Sequence, residues 1–227
     1  MKWNLREVLK PFAGGLRNIV FMSEMSKWRK EHPVVGYNDF YQETWDYNRR
    51  YLLYDAITVQ QRLTELPLDY FEFGVAGGHS FKWWLNKNKN EESRFFGFDT
   101  FEGLPEKWGA FEKGSMSYEL ESLNIHDSRA TFYKGLFQKT LIPFLDGYSS
   151  TNKKLIHLDA DLFSSTIFTL SQLYRFLKEG DILFFDEFAV PQHEFLAFKI
   201  FTESFYVNYD VIGAANNYLF VAVKIKS

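Results

Sequence analysis

Residues 68–99, LDYFEFGVAGGHSFKWWLNKNKNEESRFFGFD, read as strand, glycine turn, helix and strand. The aromatic run LDYFEFG is a short buried strand ending at Gly74, and RFFGFD is a second ending at Asp99. SFKWWLNKNKN between them has helical spacing, so two strands joined by a crossover helix are expected to lie parallel.

The same alternation continues downstream. ATFYKG (130–135) predicts a third strand, KKLIHLDAD (153–161) a fourth and DILFFDEF (181–188) a fifth. FQKTLIPFL, TIFTLSQLYRFLKEG and EFLAFKIFTESF are the helices around them, and SYELESLN (117–124) is a weaker helical candidate. YDVIG, a turn at AANN and YLFVAVK form a closing hairpin, expected to add an antiparallel strand at one edge. Upstream, Tyr37 to Leu66 lacks Gly and Pro and has helical periodicity throughout. Residues 1–36 read as an appended helical cap, and 37–227 as the main domain. The expected fold is therefore α/β and Rossmann-like, a mostly parallel sheet with an antiparallel C-terminal strand and helices on both faces.

Composition narrows the function. The 227 residues are 46% hydrophobic and 24% charged, with a formal charge of −3, so the chain has no general attraction for nucleic acid or anionic membranes. The absence of Cys excludes disulfides, thiolate metal sites and a cysteine nucleophile. With 25 Phe, 13 Tyr and 6 Trp, the chain has rings to spare for lining a pocket. No apolar run is long enough to cross a bilayer. Lys2, Arg6, Lys10 and Arg17 interrupt the apolar positions of the N-terminal stretch, unlike a secretory signal, and the cytoplasm is the expected location.

In open parallel sheets ligands bind beyond the carboxyl ends of the strands, at the point where strand order reverses. Four of the five strands end in acid: Glu72 on the first, Asp99 on the second, Asp159 and Asp161 on the fourth, Asp186 and Glu187 on the fifth. Chance would scatter acids to both ends. Gly74, Gly77 and Gly78 allow close backbone approach to a ligand, but their G-x-x-G-G spacing departs from the dinucleotide fingerprint. A plain tight turn would explain them alone. Asp99, at the end of the next strand, sits where a carboxylate accepts hydrogen bonds from both ribose hydroxyls, and together they favour a nucleoside-containing ligand.

FEFGVAGGHS (71–80), FFGFDTFEGLPEKW (95–108), KGLFQKTL (134–141), LIHLDADLFSST (155–166) and GDILFFDEF (180–188) together resemble the macrocin O-methyltransferase family. The likeness runs from about YNRRYLLYDAI (47–57) to Phe205. It implies a class I S-adenosylmethionine-dependent methyltransferase, with a sugar or glycosylated natural product as acceptor. By the same resemblance Glu72, Gly74, Gly77 and Gly78 surround the methionine portion of the cofactor, and Ser80 meets its carboxylate. Asp99 holds the ribose, while Thr100 and Phe101 border the adenine. The family is similar to catechol O-methyltransferase in binding magnesium, which places Asp159, Asp186 and Glu187 as metal ligands, with Glu187 where a second Asp is commoner. A hard cation lowers the pKa of an acceptor hydroxyl and aligns it with the methyl carbon.

Asp159 and His193 are the catalytic candidates, His193 as general base. A surface role is the plainer reading of His193 and a core role that of His157, while Asp161 reads equally as a helix cap or as a residue supporting the metal ligands. The Trp83–Trp84 pair is explained by packing, and Phe111, Met116 and Tyr118 fall in a loop that suits a lid. The competing functions are a nicotinamide oxidoreductase, a nucleoside-binding module without catalysis, and a metal-independent methyltransferase using His193 or Asp161. The aromatic N-terminal helix would suit a homo-oligomer interface.

Overall fold

Strand alternation sorts the aromatic residues onto the two faces of one sheet. The computed structural model of the chain describes residues 10–40 and 43–227. Eight strands run in the order β1-β7-β8-β6-β5-β2-β3-β4. They are β1 (Tyr37–Asn38), β2 (Leu68–Phe73), β3 (Arg94–Asp99), β4 (Ala130–Lys134), β5 (Lys153–Leu158), β6 (Ile182–Phe185), β7 (Tyr209–Ala215) and β8 (Phe220–Ile225). Only β8 is antiparallel to its neighbours β6 and β7; every other pairing is parallel.

Among the described residues six helices flank the sheet: α1 (Ala13–Glu31), α2 (Arg49–Gln61), α3 (His79–Lys87), α4 (Phe137–Asp146), α5 (Phe163–Leu173) and α6 (Glu194–Phe205). On one face Phe71, Phe73, Phe98, Ile156 and Phe185 meet α4, α5 and α6. On the other Tyr70, Phe95, Leu155 and Phe184 meet α2 and α3 through Tyr54, Phe81 and Trp84. Ring pairs such as Phe73–Phe98 at 4.9 Å and Phe98–Tyr133 at 4.8 Å lie within stacking range, each stabilising by about 0.5–1.5 kcal/mol beyond area burial. Trp84 is buried among Tyr54, Tyr70 and Phe184, so packing does account for it. No helix among the described residues is long and apolar enough to cross a membrane.

The five strands expected between residues 68 and 188 are β2 to β6, and the parallel sheet with one antiparallel strand is as expected. The hairpin is not at the edge, however. β8 is inserted beside β6, and β1 caps β7 through the register Tyr37↔Gly213. The continuous helix expected over Tyr37–Leu66 is also replaced, by β1 and the shorter α2. Polar side chains break it. Asn38 accepts from Phe40 N at 3.0 Å, Asp46 from Asn48 N at 2.9 Å, and buried Asp39 from Asn216 N at 2.5 Å. Such side chains offer the backbone an alternative to helical pairing. The candidate 117–124 helix is a single 3₁₀ turn at Leu120–Leu123. Of the expected cap, residues 1–9 lie outside the described residues. The remainder forms α1, anchored by Trp28, whose Nε1 donates to Tyr209 Oη at 2.7 Å and whose ring meets Phe188 and Phe195.

Candidate active site

Strand order reverses between β2 and β5, which run parallel side by side while β3–β4 and β6 extend in opposite directions. The chain leaving β2 turns sharply at Gly74, whose φ is +95°. A Cβ there would lie 1.8 Å from the Asp159 carbonyl oxygen, so only glycine lets the two strand ends meet. Gly78, at φ +70°, then starts α3.

Above this junction lies a cavity of about 360 Å³. Gly74, Ala76, Asp99, Asp159 and Asp161 form its polar side. Leu104, Met116, Leu136 and Phe137 form an apolar wall, with Gln138 at its margin. The size suits a nucleoside-containing ligand. Asp99 is already oriented: Oδ2 accepts from Ala76 N at 2.8 Å and Oδ1 from Phe101 N at 2.6 Å. A carboxylate offers about four lone-pair positions, which leaves two for a diol.

Of the residues expected around a cofactor, Gly74, Asp99 and Thr100 line the cavity. Glu72 and Ser80 do not. Glu72 stands on the α2–α3 face of β2, 1% exposed and bonded by Tyr70 Oη, while Ser80 Oγ is 3.4 Å from Tyr54 Oη. Phe101 is buried away from the cavity, near Phe132, and contributes its amide to Asp99. Gly77 and Gly78 shape the turn beneath Tyr118 and Leu123. The apolar residues after β4, Leu136 and Phe137, were not singled out from sequence; the GLFQ turn between a strand and an amphipathic helix is their only signal.

The acidic half of the rim is held by the ladder itself. Asp159 N donates to Phe73 O at 2.9 Å and Asp186 N to Leu158 O at 3.1 Å, fixing both residues just past their strands. His157, Asp159 and Asp186 bring one ligand atom each to within 4.8 Å of one another. Glu187 does not join them; its backbone N donates to the buried Glu194 carboxylate at 2.9 Å. Arg50, from the first turn of α2, does join. Its Nη1 lies 3.0 Å from Asp186 Oδ2 and 3.7 Å from Asp159 Oδ2.

His157 is a core histidine with a role at the rim. It faces Glu72 across the β2–β5 register and lies 3.6 Å from Asp186 Oδ1, with Tyr54 and Tyr70 hydroxyls at 3.2 and 3.1 Å. Burial alone would lower its pKa, but Asp186 and Glu72 hold the imidazolium and push it up to about 10. Burial and the Asp186 charge raise Asp159 well above the ordinary carboxylate range. Burial, then the charges of Asp186 and Asp99, push Asp161 up to about 7; burial, Asp186 and Asp161 push Glu187 up to about 8. Burial would lower the Arg50 pKa, yet Asp186 and Asp159 raise it. The rim thus gathers more carboxyl groups than Arg50 and His157 can hold ionised.

Asp161 caps nothing, since α5 begins without a side-chain cap; its φ of +57° instead turns it into the cavity wall. Strain of that kind at a non-glycine residue gathers at functional sites. The loop after β3 folds over the cavity as a lid would. Met116 lines it, and Ser164 Oγ donates to Glu106 Oε1 at 2.7 Å across it. Trp108 stacks on Phe111 at 5.4 Å and meets His193 edge-on at 6.3 Å. Burial lowers the His193 pKa, and its buried Nδ1 has no hydrogen-bond partner among the described residues.

A sheet of this order, parallel but for β8, with a glycine turn and an acid at the switch point, is that of a Rossmann-like class I methyltransferase. The family model for macrocin-O-methyltransferase (TylF) matches residues 48–217, and the chain belongs to that family. No curated protein sequence matches the chain. Among solved structures it is similar to the O-methyltransferase NovP (TM-score 0.58, 18% identity, 79% of this chain and 78% of that one). It is also similar to the calicheamicin methyltransferase CalS11 (TM-score 0.61, 20% identity, 77% and 78%), described in its apo form as a TDP-rhamnose 3′-O-methyltransferase. A third is cmcI in its Mg–SAM form (TM-score 0.50, 16% identity, 77% and 70%).

Proposed function

We propose that the chain moves a methyl group from S-adenosylmethionine to a hydroxyl of a sugar or glycosylated small molecule, with a divalent cation at the acidic rim. The observation that carries this reading is the cavity at the switch point, with Asp99 on one side and Asp159 on the other. Asp99, preset by two backbone amides, is the ribose acceptor, and Leu136, Phe137 and Met116 offer the adenine an apolar wall. Gly74 lets the methionine portion approach the backbone. TDP-rhamnose and calicheamicin in the CalS11 descriptions support a sugar-linked acceptor.

The donor set fits a hard cation in part. Asp159 and Asp186 supply oxygen ligands, and buried Asp186 Oδ1 has no hydrogen-bond partner among the described residues. His157 is 1% exposed with its ring nitrogens facing the Tyr54 and Tyr70 hydroxyls, which places it behind the carboxylates. When bound, the cation supplies acidification and alignment of the acceptor hydroxyl, and the cofactor an electrophilic methyl. The chain's own residues do the rest. His157 fixes Asp186 from behind; the loop carrying Met116 and Trp108 covers the reactants; and Asp159 or the His193 imidazole takes the hydroxyl proton.

The test is a transfer assay with methyl-labelled S-adenosylmethionine and a panel of nucleotide sugars and glycosides, with magnesium present. Label should appear as an O-methyl ether on a sugar, with one S-adenosylhomocysteine formed per methyl. Label confined to nitrogen or carbon products would overturn the reading.

A further inference from the structure

We infer that Arg50 is a resident counter-cation in the seat of the divalent ion, and that a metal enters only by displacing its guanidinium from Asp159 and Asp186. The inference rests on the proposed metal-assisted reading of that rim. The guanidinium bridges the two carboxylates, 3.0 Å from one and 3.7 Å from the other. Those same carboxylates, with His157, are the residues whose ligand atoms converge. A guanidinium and a divalent ion cannot both be close to these oxygens without strong mutual repulsion at short range, where the partly buried setting screens poorly.

The position of Arg50 is built. Its Nε donates to Tyr47 O at 3.1 Å, and the guanidinium carbon lies 4.9 Å from the Phe220 ring centroid and 5.5 Å from that of Tyr47. Its side chain is 16% exposed, so it has a way out to solvent. Buried carboxylates left unpaired are costly, and Asp186 is 2% exposed. A resident arginine therefore relieves the rim until a stronger cation arrives. The neighbouring Arg49 does none of this, being paired with Asp39 at the β1 edge.

The experiment is direct titration of the intact protein with Mn²⁺, followed by loss of the free-ion paramagnetic resonance signal, for the wild type and for Arg50→Met, Arg50→Gln and Arg49→Met. Cooperative unfolding of each variant establishes that it is folded, and the glutamine variant covers the case in which methionine is not tolerated. Without Arg50 the ion no longer competes with an internal cation, so both Arg50 variants should bind Mn²⁺ at least about tenfold more tightly, roughly 1.4 kcal/mol. Arg49→Met should stay within about twofold of the wild type. Binding by the Arg50 variants alone supports the inference most strongly. If the wild type binds and the Arg50 variants bind equally or more weakly, Arg50 is not in the metal's seat, while the metal reading stands. Equal tightening in Arg49→Met would reduce the effect to general charge and overturn the inference. If neither the wild type nor the Arg50 variants bind, the metal reading fails and the inference with it.

Discussion

Replacing Asp186 with Asn is expected to slow methyl transfer at least about a hundredfold, the scale of losing a positioned catalytic group, while cofactor binding survives. Asn keeps the size of Asp and one acceptor oxygen, but it deletes a charge that faces Arg50 at 3.0 Å and His157 at 3.6 Å. Arg50 is then left with Asp159 and His157 with Glu72, and a divalent ion loses one of its two best-placed oxygen ligands. The acceptor hydroxyl is left neither acidified nor aligned. Asp99 and the glycine turn stand on β2 and β3, away from β6, so affinity for S-adenosylhomocysteine should change by less than about twofold. The same slowing should follow EDTA treatment of the wild type and reverse on adding magnesium. Turnover that persists in excess chelator would move the role of base to His193 or Asp161 and remove the metal from the account.

Asp99→Ala should do the opposite, weakening S-adenosylhomocysteine binding and leaving metal affinity near the wild-type value. The carboxylate is held by two backbone amides, Ala76 N and Phe101 N, one from the turn after β2 and one from its own loop. Alanine removes the ribose acceptor and unties those two segments from each other. Charge-assisted hydrogen bonds contribute about 1.5–3 kcal/mol, so the dissociation constant should rise between about tenfold and 150-fold. Asp99→Asn, which keeps one acceptor oxygen, should fall between the two. An unchanged constant in Asp99→Ala, measured by calorimetry, would place the ribose elsewhere.

Much of this architecture was legible because it is written in local alternation. Strands β2 to β6 carry apolar side chains on both faces and end in polar turns, and acids gathered at one end of them mark the rim. The same alternation contains what was misread. Phe71 and Phe73 face α4–α6, so Tyr70 and Glu72 must face α2 and α3, where Glu72 is sealed beside His157 and does not line the cavity. Residues 37–40 and 43–48 were not legible as a strand and turns, because β1 pairs with β7 across the length of the chain and Asp39 is fixed by Asn216. Arg50 was hidden for a similar reason. Nothing in YNRRYLL separates an arginine bound to Asp39 from one bound to Asp159 and Asp186; only the seating of α2 against β7 and β8 does. Glu187 shows the limit of adjacency: it follows Asp186 directly, yet only Asp186 converges with His157 and Asp159.

The central claim is that the switch-point cavity is an S-adenosylmethionine site, and titration calorimetry of the wild-type protein tests it most directly. S-adenosylhomocysteine should bind one molecule per chain with a micromolar constant, about −8 kcal/mol, and NAD⁺ should give no saturable heat. Saturable binding of NAD⁺ with none of S-adenosylhomocysteine would contradict it.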